Sequence, residues 1–489
     1  MLRIISFSIE SLNNLFDYKD CSIDDSSSDL LILYGDNGSG KTTVLNLIFN
    51  LLSPKPNRGH LNAIARVPFK VLRVSLSDGT VVSAERDGDV NSHPVKFRIV
   101  RPSDSPVEYK FIPERFRDRF LHEFFESELR REQESRNTKP LKKKRGSASS
   151  VIFHKEILLG SHLISGADED AHKKYIAALD GIGVNFYFMG ADRKIRSDFL
   201  DLDSSGSRSS ADLREAEGDV IFAARTQYLK EALTGASRYI NRQIIRASNS
   251  GSKNTNDIYI DLIKRISQDE VSDSGADLAH QMRDATERLS VLSEQNKRFS
   301  DLGILPALDF EQINNVMALN SESSNNAVLK KVLWPYIESL NARLQALNPI
   351  GGAVETFLKL LNQLFKYKSI RFSPGDGFTI YGPKIDYPLD VENLSSGEQQ
   401  LLLIFCYLLI ASERQSIFMV DEPEISLNVK WQRDLIDAMR KIANNSKTQI
   451  IIATHSIELL AQHSDLVISL DPSINDNSDL VYDNPQEDN

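Results

Sequence analysis

The segment Gly35-Asp-Asn-Gly-Ser-Gly40-Lys41-Thr42 carries glycine, glycine, lysine and threonine at the spacing GxxxxGK[ST]. That spacing suits the holding of a phosphate chain. Glycines let backbone N–H groups converge on phosphate oxygens, and a following helix adds positive potential at its N-terminus. Lys41 can reach the β and γ phosphates of a nucleotide, and the Thr42 hydroxyl can ligate Mg²⁺. Gly35, Asp36, Asn37, Gly38, Ser39, Gly40, Lys41, Thr42 and Thr43 are therefore candidate nucleotide-binding residues. A second constellation stands near the other end of the chain, where Ile417-Phe-Met-Val-Asp421-Glu422 is an apolar run closed by two carboxylates. Asp421 is suited to hold Mg²⁺ through water. Glu422 is suited to orient and deprotonate an attacking water, because phosphoryl transfer is catalysed mainly by positioning and charge stabilisation.

Both groups need strand ends and a helix start to hold them. Leu30-Leu-Ile-Leu-Tyr34 is a short continuous apolar run, the form of a strand buried on both faces, and the pattern from Thr42 to Leu52 predicts a helix that Pro54 and Pro56 end. Ser416 to Val420 and Gln449 to Ala453 read as buried strands, Glu398 to Ala411 and Val429 to Asn444 as helices, Ile457 to Gln462 as a short helix and Leu466 to Leu470 as a final strand. Around this α/β alternation lie antiparallel signals. An opening strand near Leu2 to Phe7 is followed by a hairpin of residues 71–76 and 80–84 about Asp78-Gly79, a strand at 96–100, and a second hairpin at 369–372 and 378–381. Residues 102–365 read as mostly helical, apart from a strand-like run at 184–189 that leads into Gly190-Ala-Asp-Arg193. The expected fold is α/β: residues 1–101 form a first lobe with the phosphate loop and an antiparallel β subdomain, 102–365 a helical insertion, 366–470 a second lobe, and 471–489 an acidic tail.

Three further segments carry a resemblance. Asn393-Leu-Ser395-Ser-Gly397-Glu398 precedes Asp421, Pro423-Glu-Ile-Ser-Leu-Asn428 follows it, and Ala453-Thr-His455 comes later. With these segments in this order the chain resembles the ABC-type ATPase superfamily. Leu394 to Glu398, with Ser395, Ser396, Gly397 and Glu398, is similar to the signature motif, Pro423 to Asn428 to the D-loop, and His455 to the switch histidine. The resemblance implies an α/β ABC-type head that binds ATP and Mg²⁺, with Lys41, Glu422 and His455 as catalytic residues and Thr42 and Asp421 at the metal. It also implies that Ser395 and Gly397 act on a nucleotide held by an opposite head, so the protein is expected to be a homo-oligomer, at least a dimer. One departure is clear: such heads carry a glutamine after the first lobe, whereas no Gln occurs between Val44 and Glu132.

From Lys41 to Gly397 the separation is 356 residues (397 − 41). An insertion of that size resembles the RecF, SMC and OLD branch, whose heads serve DNA repair or defence. Within it the chain is similar to the antiphage-defence ATPases, those of the PtuA type from Septu systems foremost and those of the AriA type from PARIS systems next. This implies Mg-dependent ATP hydrolysis that gates a separate effector, an HNH nuclease as in Septu. The alternative is a RecF-like repair ATPase that binds DNA. Arg193 is similar to an arginine that follows a strand in several of these proteins, as a sensor, a DNA-facing group or a salt-bridged structural residue.

Composition bounds these readings. The chain has 489 residues, 41% apolar and 26% charged, which is ordinary for a globular protein. Its longest apolar run, Leu401 to Ala411, falls short of the roughly 18 to 20 residues that span a bilayer, so no membrane span is expected. The N-terminus lacks the features of a signal peptide, and the two cysteines, Cys21 and Cys406, make no disulfide framework; a reducing, cytoplasmic setting is expected. A net charge of −10 argues against coating nucleic acid with the whole surface. Lys142 to Arg145, in a basic run that starts at Arg130, is a candidate contact for nucleic acid, or else a solvated loop, and DNA or a phage component is a candidate partner of the protein. Asp201-Leu-Asp203 lacks a partnering acidic strand, and His154, His162 and His172 lack metal-ligand spacing. Only 19 residues follow Leu470, so nuclease chemistry is expected from a second polypeptide. Lys41→Ala is expected to abolish ATP binding, while Glu422→Gln keeps binding and loses steady-state turnover; unchanged turnover in the Glu422 variant would show that the base is another residue.

Overall fold

The computed structural model describes residues 1–22, 28–91, 94–113, 169–198, 226–249, 275–308, 310, 326–384, 387–443, 447–461, 463–470 and 473–474. The chain divides into two compact units. One comprises Met1–Ser207, Arg414–Glu424 and Lys447–Asn489, the other Arg208–Glu413 and Ile425–Ser446.

The first unit contains two sheets. Its strands are β1 (Ile4–Leu12), β2 (Phe16–Ser22), β3 (Leu30–Tyr34), β4 (Val71–Leu76), β5 (Val81–Arg86), β6 (Val95–Val100), β7 (Val107–Phe111), β8 (Asn185–Met189) and β9 (Ile195–Ser197). After the β10–β11 hairpin of the second unit (Ser369–Ser373 and Gly377–Tyr381) come β12 (Ser416–Asp421), β13 (Thr448–Thr454), β14 (Val467–Ser469) and β15 (Ser473–Ile474). A six-stranded sheet runs in the order β14-β3-β13-β12-β8-β9. All its neighbours are parallel except the β8–β9 pair. β12 and β13 are buried at every position and β3 at all but Tyr34, as strands covered on both faces must be, which is why each reads as an unbroken apolar run. The run at 184–189 forms β8 beside β12.

A seven-stranded antiparallel sheet, β15-β2-β1-β4-β5-β6-β7, forms the other layer. Its β4–β5 turn is the Asp78-Gly79 turn: Gly79 takes φ 82°, and Asp78 Oδ1 accepts from the Thr80 N–H at 2.9 Å. Three of its strands were not apparent in the sequence. β7 falls in the stretch expected to be mostly helical, yet Val107, Tyr109 and Phe111 alternate with Glu108 and Lys110 at the strand period. β2 alternates less cleanly, and β15 is two residues within the expected tail, pairing with β2.

Helix α1 (Lys41–Leu52) packs on β8, β12 and β13 of one sheet and on β5 of the other. Val44, Leu45, Leu47, Ile48, Phe49, Leu51 and Leu52 are all buried in a core shared with both sheets. A short helix, α2 (His60–Arg66), packs on it, and a third, α3 (169–180), contributes Tyr175 and Leu179 to the same core.

The second unit is mainly helical, with α4 (226–249), α5 (Gly275–Asp301), α6 (Asn326–Leu364), α7 (Ser396–Ala411) and α8 (Val429–Ala443). α5 meets α6 closely; a Cβ on Gly351 would come within 2.3 Å of the Phe299 ring. From Gly397 to Ala411, every α7 residue except Gln399 is buried, as its all-round apolar sequence requires. A one-turn helix, α9 (Ile457–Leu460), follows β13 in the first unit.

The buried Gln449 amide joins the two sheets of the first unit. Its Oε1 accepts from the Ile4 N–H at 2.8 Å, and its Nε2 donates to the Ile4 carbonyl at 2.9 Å. Gln449→Leu strands both backbone groups, and the expected loss is about 2–4 kcal/mol, read as a lower midpoint in chemical denaturation.

Candidate active site

Parallel register brings the candidate residues of the first unit to one sheet edge. Thr454 is the register partner of Tyr34, so the phosphate loop leaves β3 beside His455. Asp421 pairs with Ala453, so the β12 carboxylates emerge at the same level. Met189 pairs with Val420, and the Gly190–Lys194 loop therefore leaves β8 at this edge too. These are the carboxyl ends of the strands, where open α/β sheets hold ligands.

The loop is preformed. Gly38 and Gly40 take φ 90° and 78°, values that cost a residue with a side chain dearly, and Gly40 caps α1. The Ser39 N–H donates to the Asp36 carbonyl at 3.1 Å, and the Tyr18 hydroxyl of β2 donates to the Ser39 carbonyl. Burial, with the nearby Cys21 thiol adding to it, pushes the Tyr18 pKa up to about 12, so it stays a donor. Lys41 is buried, and its Nζ donates to the Gly35 and Asp36 carbonyls at 2.7 and 2.9 Å. Asp36, Asn37 and Gly38 are exposed on the loop's outer side.

Thr42 Oγ1 donates to Asp421 Oδ2 at 2.7 Å. Asp421 is 1% exposed, and its second oxygen, Oδ1, has no hydrogen-bond partner among the described residues. Burial pushes the Asp421 carboxyl above its ordinary range; the Thr42 hydrogen bond opposes this, and the Glu422 charge adds to it. A hydroxyl beside an unsatisfied buried carboxylate oxygen is the hard-oxygen donor set that Mg²⁺ takes, so the residues present fit that ion.

Glu422 holds φ at 48°, while its N–H donates to the Ala453 carbonyl at 2.8 Å. A left-handed glutamate costs of order 1–3 kcal/mol, and such strain gathers at functional sites. His455 Nδ1 lies 3.5 Å from Glu422 Oε1 and 3.4 Å from Glu424 Oε1. Glu424 stands in the Pro423 to Asn428 segment with no role of its own expected from the sequence. It is 5% exposed, and its Oε1 accepts from Thr454 Oγ1 at 2.5 Å and from the His455 N–H at 3.2 Å. The signal was available as a third carboxylate two residues past Glu422, where a strand end needs none for solubility. The loop after β8 carries Asp192 and a buried Arg193 at φ 64°, and no glutamine.

The signature residues belong to the second unit. Ser395 caps α7, its Oγ accepting from the Glu398 N–H at 3.3 Å while Glu398 Oε2 accepts from the Ser395 N–H at 2.7 Å, a reciprocal capping box. Glu398 is buried and also receives Lys368 Nζ at 2.8 Å. Burial alone would raise its carboxyl, but the Lys368 and Ser395 hydrogen bonds hold it below its ordinary range. Gly397 is packed so closely that a Cβ would sit 2.7 Å from the Ser426 carbonyl and 3.0 Å from the Trp431 ring. Ser395 and Ser396 are exposed at the helix start. Of the other residues singled out, His172 packs its ring 5.1 Å from Tyr109. His154, His162, Asp201, Asp203 and Lys142 to Arg145 lie outside the described residues. Among the described residues no helix is long and apolar enough to cross a membrane.

Residues 30–461 match the family described as "AAA domain, putative AbiEii toxin, Type IV TA system". The cobalamin import ATP-binding protein BtuD of Halobacterium salinarum is 32% identical over 88 residues, 18% of this chain and 21% of that protein. The hemin import ATP-binding protein HmuV of Vibrio cholerae is 32% identical over 80 residues, 16% of this chain and 31% of that protein. The chain thus spans between a fifth and a third of the length of these curated relatives. Among solved structures, the Smc head domain of Pyrococcus furiosus with an extended coiled coil, bound to the C-terminal domain of ScpA, covers 94% of this chain and 92% of its own at 14% identity and a TM-score of 0.34. The Smc head domain with a coiled coil and joint from Pyrococcus yayanosii gives 94% and 93% coverage at 14% identity and a TM-score of 0.30. With a glycine loop, a threonine–aspartate pair and a glutamate–histidine pair on one sheet edge, and a family match reaching from β3 to the residue after α9, the chain belongs to this AAA-domain family and has an α/β fold.

Proposed function

We propose that the chain is the ATP-binding and ATP-hydrolysing subunit of a bacterial antiphage defence complex, and that its nucleotide state gates a separate effector nuclease. The observation that carries the ATPase reading is the Thr42–Asp421 hydrogen bond at 2.7 Å beside the Glu422–His455–Glu424 cluster. In this reading the loop N–H groups and Lys41 hold the phosphates, Lys41 exchanging its carbonyl partners for phosphate oxygens. Thr42 and Asp421 would hold Mg²⁺, which supplies charge neutralisation at the phosphates. Glu422 orients the attacking water and takes its proton. His455, anchored through its N–H to Glu424, lies next to Glu422 and positions it or the γ-phosphate.

The defence reading rests on the resemblance to PtuA-type ATPases and on a family description that names a toxin system. The exposed Ser395 and Ser396 at the start of α7 support a head-to-head assembly, because an exposed helix N-terminus suits a γ-phosphate brought by a second copy. That assembly makes the protein a homo-oligomer, acting in the cytoplasm with an HNH-type partner.

Three measurements bear on these readings. Glu422→Gln with ATP is expected to run as a dimer or larger in size-exclusion chromatography with light scattering, and Ser395→Arg is expected to remain monomeric under the same conditions; a monomer in both refutes the sandwich. Co-purification with the products of neighbouring genes is expected to recover a nuclease, and recovery of the chain alone refutes the effector reading. Glu424→Gln is expected to lower kcat about tenfold while leaving the KM for ATP within about twofold, as for loss of a group that orients another.

A further inference from the structure

Behind α1, within the first unit, lies a cavity of about 820 Å³, within the range of small-molecule sites. Thr43, Asn46 and Asn50 of α1 form part of its wall, at a spacing that puts them on one helix face. Arg58, Arg66 and Arg196 bring three guanidinium groups to it from three separate segments: the turn before α2, the last turn of α2, and β9. The phosphate loop is not part of this wall, although Thr43 directly follows Thr42.

Among the described residues Asp198 is the wall's sole carboxylate, against three arginines, and both its oxygens are engaged: Oδ1 with His60 Nε2 at 2.9 Å, and Oδ2 with the Lys55 N–H at 2.9 Å. His60 Nδ1 lies 2.9 Å from Asn50 Oδ1, so the buried histidine ties α1, α2 and β9 into one rigid frame. Two of the arginines are held by this frame. Arg58 Nη1 donates to the Ser197 carbonyl at 3.1 Å, and Arg196 Nη1 donates to Asn46 Oδ1 at 2.8 Å with its guanidinium 5.5 Å from the centre of the Phe188 ring. A guanidinium offers five donors in a fixed fork, so the Asn46 contact orients Arg196 without exhausting it. Concentrating three arginines at one hollow on a chain of net charge −10 is the arrangement expected of a site for an anion. Apolar side chains on the same wall, Leu47 and Phe49 among them, give room for a flat organic body as well as a charge.

We propose that this cavity is a second anion site, separate from the phosphate loop, whose ligand is a nucleotide phosphate, carried either by a free nucleotide or by a nucleic-acid strand. Guanidinium forks match phosphate oxygens bidentately, and the Asn46 side chain couples Arg196 to the helix that begins at Lys41. A ligand here would stiffen α1 from the side opposite its buried core.

The test uses the full chain carrying Lys41→Ala, which empties the phosphate loop, and follows fluorescence anisotropy of two probes: a fluorescein-labelled nucleoside monophosphate and a short labelled oligodeoxynucleotide. One probe is expected to bind saturably and more weakly as salt rises, and the probe that binds identifies the source of the phosphate. Adding Arg66→Glu and Arg196→Glu is expected to weaken that binding by about tenfold or more, from the loss of charge-assisted contacts. Both residues are exposed, so the fold should persist, and Arg66→Gln alone provides a milder reading in the same direction. Failure of both probes to bind overturns the proposal, as does unchanged affinity in the arginine variants. ATP binding that Lys41→Ala removes and that Arg66→Glu with Arg196→Glu leaves in place reports on the phosphate loop, so failure of one site is distinguishable from failure of the other.

Discussion

The parallel pairing of β3 with β13 and of β13 with β12 is the constraint on which the rest of the molecule depends. These strands come from residues 30–34, 448–454 and 416–421, so nothing local holds the site together. A parallel ladder between strands buried on both faces leaves little freedom of register, since a slip would move each terminal residue along the edge or invert its side. Asp421 opposite Ala453 and Thr454 opposite Tyr34 are what bring a carboxylate pair, a histidine and a glycine loop to a common level. α1 fixes the remaining degree of freedom: its buried side chains lie between two sheets, so Lys41 and Thr42 at its start have one place to be.

That edge concentrates negative charge. Asp421, Glu422 and Glu424 lie within four residues, and two of them are nearly or fully buried. Such crowding is costly unless donors or a cation offset it. Thr42 offsets half of Asp421, and Thr454 and the His455 N–H offset half of Glu424. The oxygens left over, Asp421 Oδ1 and Glu424 Oε2, have no hydrogen-bond partner among the described residues. The strained backbone of Glu422 adds to this: local stability is given up where a ligand's charge would restore it. Behind α1 the described residues of the cavity wall set three arginines, Arg58, Arg66 and Arg196, against one carboxylate, Asp198. One helix thus separates an electronegative edge from an electropositive hollow.

Much of this was legible in the residues. The phosphate loop, the strand before it and the helix after it follow from glycine conformation, apolar continuity and proline stops, all local properties. The hairpin at Asp78-Gly79 and the all-round apolar α7 are equally local, and both stand where the pattern put them. β2, β7 and β15 escaped because edge and near-edge strands of an antiparallel sheet are short and half-polar, so their alternation is weak until a neighbour is known. α2 escaped because seven residues hold too few turns to show a period.

What the sequence determined by itself is the chemistry each segment can offer: a loop for phosphate, a hydroxyl and a carboxylate for a metal, a glutamate for a proton, a capped helix start. What only the tertiary structure decided is which groups meet. The run at 184–189 is a strand by its apolar character, but that it lies against β12 is a matter of sheet order. Glu424 is an unremarked acidic residue until Thr454 and His455 close on it, and Asp198 and His60, 138 residues apart, become a buried pair only in the folded chain. The physical reason is the same in each case. Propensity and pattern act over a few residues, whereas a hydrogen bond or an unsatisfied oxygen is defined by neighbours that strand pairing brings from hundreds of residues away.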